Sequence, residues 1–158
     1  MAIQVGDTLP SVTFKVMGES GPESVTTEEL FAGKKVVLFA VPGAFTPGCS
    51  ATHLPGFVVN ADKIKATGVD AIVCTAVNDA FVMDAWGKSQ NAEEIIMAGD
   101  GNAEFAKAIG LELDLTERGL GVRSKRYAMI VNDGKVELLN IDTTGIDASS
   151  AETILAAL

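Results

Sequence analysis

Cys49 ends the run Val41-Pro42-Gly43-Ala44-Phe45-Thr46-Pro47-Gly48-Cys49, which follows the apolar stretch Lys35 to Ala40 and precedes a segment with helical spacing. A strand that stops, a Pro/Gly turn that presents backbone, and a sulfur in the first turn of a helix are what a reactive, reachable thiol needs. Unpaired N–H groups and the positive end of the helix dipole favour thiolate over thiol at such a place. Thr46 stands one helical turn before Cys49, where its hydroxyl can reach the region of the sulfur and bond a ligand oxygen. Pro42 and Pro47 fix φ at two points of the loop, and Gly43 and Gly48 allow close approach to its backbone. A thiolate in that rigid polar pocket is a nucleophile for an electrophilic sulfur, a carbonyl or a peroxide oxygen, and oxidation takes it to sulfenic acid. The loop alone does not choose among these targets, and a buried inert thiol is the alternative.

The elements that must position this loop can be read from hydrophobic periodicity. Val12 to Met17 predicts a short strand, Gly18 to Pro22 a turn, and Thr26-x-x-Glu29 a capping box opening a short helix. Lys35 to Val41 is a continuous apolar run rich in β-branched residues, the pattern of a strand covered on both faces. From Pro47 onward Leu54, Phe57, Val58, Ala61 and Ile64 share one helical face, with a kink expected at Pro55. Val69 to Val77 predicts a second buried strand, and Asn78-Asp79 offers caps for a helix bearing Phe81, Val82, Ala85 and Trp86, aromatics suited to a core or an interface. Glu94 to Ala98 predicts a strand, and Asn102 caps a short helix with Phe105, Ala106 and Ile109. Tyr127 to Val131 and Lys135 to Ile141 flank Asn132-Asp133-Gly134, a hairpin signal, and Ser149-x-x-Glu152 caps a last helix. Strands alternating with helices, then a hairpin and a terminal helix, predict an α/β class: a thioredoxin-like fold, a mixed central β-sheet flanked by helices, as a single domain over residues 1–158.

The chain carries 21 acidic against 12 basic side chains, a formal net charge of −9, and no Lys/Arg-rich block. Nucleic acid is therefore not an expected partner. No apolar run reaches transmembrane length and the first residues lack the basic and apolar regions of a secretory leader, so no membrane association and a cytoplasmic location are expected. Two cysteines make no disulfide framework.

Pro42-x-x-x-Thr46-x-x-Cys49 resembles the active-site signature of peroxiredoxins, and the longer string VPGAFTPGCSATHLPGF from Val41 to Phe57 resembles their type II, or peroxiredoxin-five, subfamily. The resemblance extends through Val77 to Met83 and Trp86 and resumes at Lys125-Arg126-Tyr127-Ala128-Met129. It implies a thiol-dependent peroxidase without metal or organic cofactor, acting on hydrogen peroxide and organic hydroperoxides, typically as a homodimer packed near the active-site face. It further implies that Cys49 is the peroxidatic thiol, that Thr46 and Arg126 orient the peroxide and stabilise the moving charge, and that Pro42 shields the site.

Read without the resemblance, Arg126 is a surface charge at a strand start, and Arg123 could reach the pocket in its place. Cys74 lies in the middle of a predicted buried strand, where a thiol is inert. Plant-like type II members carry a cysteine at the equivalent place, so the resemblance also implies a resolving role for Cys74, by an internal disulfide that demands close approach of the two Cα atoms. The alternative is direct reduction of Cys49 by glutathione, glutaredoxin, thioredoxin or another outside thiol. His53, the only histidine, follows Cys49 at i+4 and reads as a core or surface residue. A redox sensor or relay that passes oxidation from Cys49 to a partner is the competing function, and a metal site of Cys49, His53 and Cys74 the weaker third, since three soft ligands at irregular spacing lack a C-x-x-C pair.

Overall fold

The computed structural model describes residues 2–158. Two antiparallel strands, β1 (Thr13–Gly18) and β2 (Gly21–Thr26), open the chain and form one edge of the sheet. The sequence shows only the first of them, because the polar second strand GPESVT carries no apolar alternation. Thr26 then caps α1 (Thr27–Phe31) through the expected reciprocal bonds with Glu29.

β3 (Lys35–Ala40) is an interior strand of the sheet, paired along both edges. Its side chains alternate across the sheet, so Val37 and Phe39 enter one apolar core while Val36, Leu38 and Ala40 enter the other. Two buried faces account for the unbroken apolar run. The sheet has seven strands, completed by β4 (Ala71–Ala76), β5 (Ile96–Gly99), β8 (Arg126–Asn132) and β9 (Lys135–Asp142), in the order β2-β1-β5-β4-β3-β8-β9. β3, β4 and β5 are parallel, β8 pairs antiparallel with β3 and β9 antiparallel with β8, which makes the sheet mixed. The β8–β9 turn has positive φ at both Asp133 and Gly134, the requirement that Asn-Asp-Gly meets cheaply.

Helices α2 (Leu54–Ala66) and α5 (Ala151–Ala156) pack together over the core that holds Cys49, and α3 (Ala80–Ser89) lies against β5 and β1. α4 (Glu104–Ala108) belongs to the opposite core. A two-stranded ribbon, β6 (Glu112–Leu115) with β7 (Gly121–Ser124), stands outside the main sheet and has no counterpart in the sequence reading.

Several sequence expectations shift. On α3 the buried residues are Ala80, Met83, Trp86 and Gly87, whereas Phe81 is 64% exposed, so the apolar face is rotated from the expected one. β5 starts two residues later than predicted. The first turn of α4 is held by the Asp100 carboxylate, which accepts from the N–H groups of Phe105 and Ala106, rather than by Asn102. Ser150, not Ser149, caps α5, accepting from Thr153 N–H at 3.2 Å.

Candidate active site

The loop between β3 and α2 carries the sulfur. Helical backbone begins at Pro47, but Cys49–His53 forms a π turn: the Leu54 N–H bonds to the Cys49 carbonyl, five residues back. The turn sits directly before Pro55, at the start of α2, where the missing proline N–H already breaks the regular ladder. A π turn thus stands where a kink is expected. It widens the first turn and brings both Cys49 and His53 into the interior.

Cys49 is buried, with no exposed surface, which departs from the reachable sulfur expected of the loop. Arg126, the first residue of β8, reaches it from below: Nη2 donates to Cys49 Sγ at 3.1 Å. The same guanidinium donates from Nη1 to His53 Nδ1 at 2.8 Å. His53 Nε2 in turn donates to the Ser149 carbonyl at 2.9 Å. This pair of bonds assigns a neutral imidazole with its proton on Nε2. The ring packs at a tilt beside Phe39 and Phe57, which stack on each other with centroids 3.9 Å apart. Burial pushes the His53 pKa down to about 4; the Ser149 bond opposes this and the Arg126 charge adds to it. The chain Cys49–Arg126–His53–Ser149 ends on Asp142, whose carboxylate accepts from the Ser149 N–H and hydroxyl and from the N–H groups of Asp147 and Ala148. Burial raises the Asp142 pKa, but those four bonds outweigh it and hold the carboxyl below its ordinary range.

The other predicted residues surround this chain. Thr46 donates its hydroxyl proton to the Gly43 carbonyl at 2.7 Å, which leaves its oxygen free to accept. Arg123 does not contact the sulfur; its Nη1 donates to the Pro42 carbonyl at 3.3 Å and lies where a Cβ on Gly43 would meet it at 2.7 Å. The two arginines therefore divide the work, Arg126 on the sulfur and Arg123 on the loop. Ala44 N–H is tied to the Asn78 side chain, and Phe45 is exposed with a left-handed φ of 66°. Strain of this kind persists only where the surroundings hold it. Pro42 and Gly48 border a cavity that runs up to Arg126.

Cys74 lies in β4 opposite Phe39, fully buried in the same core as Cys49, and both thiols are free. Burial, and secondarily the neighbouring Cys49, raise its pKa well above the ordinary thiol value. His53, Ser149 and Asp142 were not legible as site residues; the only signal was the i+4 spacing of His53 from Cys49.

The redoxin family matches residues 4–155. The chain is 50% identical to a chloroplastic rice protein, peroxiredoxin-2E-2, over 99% of its own length and 72% of the relative's. It is 46% identical to Arabidopsis thaliana peroxiredoxin-2D over 99% and 98% of the two chains. The chain is a peroxiredoxin. With the family comes the activity class, a thiol peroxidase, and the thioredoxin-like architecture described above. Among solved structures, a reduced Vibrio vulnificus Prx3 in complex with hydrogen peroxide superposes on this peroxiredoxin with a TM-score of 0.95 at 56% identity, covering 98% of both chains. Peroxiredoxin 5 from Alvinella pompejana gives 0.86 at 36% identity, covering 98% of this chain and 97% of that one.

Proposed function

We propose that this peroxiredoxin reduces hydrogen peroxide and organic hydroperoxides at Cys49. The observation that carries the assignment is the 3.1 Å contact from Arg126 Nη2 to the sulfur. A guanidinium placed there stabilises a thiolate and then the negative charge that moves to the leaving oxygen, without reorganising during the step. The Cys49 thiolate attacks the terminal oxygen of ROOH. An S–O bond forms, the O–O bond breaks, and RO⁻ departs and takes a proton from water to become ROH; sulfur is oxidised by two electrons and left as Cys49–SOH. Thr46, its own proton committed to Gly43, accepts from the peroxide O–H and aims the terminal oxygen at the sulfur. Pro42, tied by Arg123, limits water in the site.

An outside thiol completes the cycle. It attacks the sulfenic sulfur and releases water, and a second thiol displaces Cys49 from the mixed disulfide, so two thiols yield one disulfide. Glutathione, glutaredoxin and thioredoxin all supply this chemistry. Cys74 is a poor resolving thiol in this conformation, since its burial disfavours the thiolate it would need. Pairing of two copies is supported by the apolar side chains Phe45 and Phe81, exposed by 55% and 64%, on segments linked by the Ala44–Asn78 bond.

The direct test is Cys49→Ser. It should abolish peroxide consumption with dithiothreitol as reductant while leaving the circular dichroism spectrum unchanged; turnover that persists assigns the chemistry elsewhere.

A further inference from the structure

A cavity of about 390 Å³ is bordered by Arg126, whose guanidinium touches the reacting sulfur. Pro42, Gly48, Leu113, Lys125, Arg126 and Ile146 are among the residues that line it. Ile146 lies at the doorstep of the site. Its Cδ1 and Arg126 Nη2 are each 3.6 Å from the point where a Cβ on Gly48 would stand. The cavity therefore begins beside the guanidinium nitrogen that touches the sulfur, where the departing half of a peroxide would lie. Hydrogen peroxide is scarcely larger than water and leaves such a space empty, whereas pockets of about this size accept small organic molecules.

The charges lining the cavity are unequally committed. Arg126 donates from Nη1 to His53 and from Nη2 to Cys49. Asp142 also lines the cavity, but its oxygens accept from Asp147, Ala148 and Ser149. Lys125 is half-buried, and the ion pairs among the described residues, Lys65–Glu94 and Lys88–Asp84, do not include it. An ammonium with no ion-pair partner, on the wall of a space that also holds Leu113 and Ile146, favours an anionic group at the end of an apolar body.

We propose that this cavity is the seat for the organic group of a carboxylate-bearing hydroperoxide, its apolar body against Leu113 and Ile146 and its carboxylate at Lys125. The proposal rests on Cys49 being the peroxidatic thiol and names the substrate class that site takes. Leu113 comes from the β6–β7 ribbon and Ile146 from the loop after β9, two segments outside the loop that carries the sulfur.

The test measures the rate of Cys49 oxidation by stopped flow, with four oxidants: hydrogen peroxide, cumene hydroperoxide, its para-carboxylate, and the methyl ester of that carboxylate. Wild-type protein should react about fivefold faster with the carboxylate than with the ester. Lys125→Met should erase that preference and leave the hydrogen peroxide rate unchanged. Ile146→Ala should slow the aryl hydroperoxides by about tenfold and again spare hydrogen peroxide. Equal rates with carboxylate and ester in the wild type overturn the seat, as does a Lys125→Met effect confined to the KM of the thiol reductant, which would give the cavity to the reductant. A wild-type protein that leaves hydrogen peroxide untouched overturns the peroxidase reading as well.

Discussion

His53 Nδ1 accepts from Arg126 Nη1 at 2.8 Å, so a neutral, buried imidazole holds from behind the guanidinium that faces Cys49. The ring has little freedom, being bonded to Ser149 on its other edge and packed beside Phe39 and Phe57. Arg126 is thereby aimed before any substrate arrives, and preorganisation of this kind is the source of most electrostatic rate enhancement.

This arrangement makes stability depend on pH in a definite direction. The folded His53 takes up a proton only near pH 4, while in the unfolded chain it does so at its ordinary value of 6.5. Its contribution is full above 6.5 and is lost as pH falls from there through about 4, a change of about 3 kcal/mol. Urea midpoints compared between wild type and His53→Asn from about pH 7 to about pH 4 check this; parallel slopes in the two proteins would remove His53 as the titrating group. The Asn variant should also slow Cys49 oxidation about tenfold, having an acceptor for Arg126 but a shorter reach to Ser149.

Thr46→Val should slow oxidation by peroxide about a hundredfold while Thr46→Ser retains most of the rate, because the step needs the oxygen and not the methyl group. Stopped-flow rates at fixed peroxide decide the matter. Equal rates in the Val variant would take Thr46 out of the reaction.

Cys74→Ala should keep full turnover with an external thiol and cost about 1 kcal/mol of stability through loss of packing. Intact mass after one equivalent of peroxide gives the complementary reading: wild type should gain about 16 Da, the sulfenic oxygen, rather than lose about 2 Da to an internal bridge. A dominant disulfide product would show that the π turn unwinds during the cycle and brings Cys49 onto Cys74.

Phe81→Arg should yield a monomer by sedimentation, since a charge at the centre of an apolar contact is costly to bury. A variant that sediments with the wild type places the contact between copies elsewhere.

Much of the site was legible because its signals are local. The Pro/Gly loop, the β-branched run of β3 and the caps Thr26 and Asp79 act over a few positions and appear in the structure where their chemistry requires, whereas the expected caps Asn102 and Ser149 give way to Asp100 and Ser150. Arg126 was distinguishable from Arg123 only by family resemblance. Side-chain reach separates them in space: Arg126, at the start of β8, contacts the sulfur, and Arg123, within β7, contacts the Pro42 carbonyl. The β6–β7 ribbon left no trace because strands of four residues with polar alternates bury too little to pattern the sequence.

The amino-acid order by itself determined that a cysteine would stand where a central strand gives way to a helix, since backbone preferences and apolar periodicity act between near neighbours. Only the tertiary structure decided what that sulfur touches. The contacts Arg126–Cys49, Arg126–His53 and His53–Ser149 join residues 77, 73 and 96 positions apart. Partners so distant are chosen by the packing of β8 and α5 against the π turn, a free-energy minimum of the whole chain that no short segment encodes.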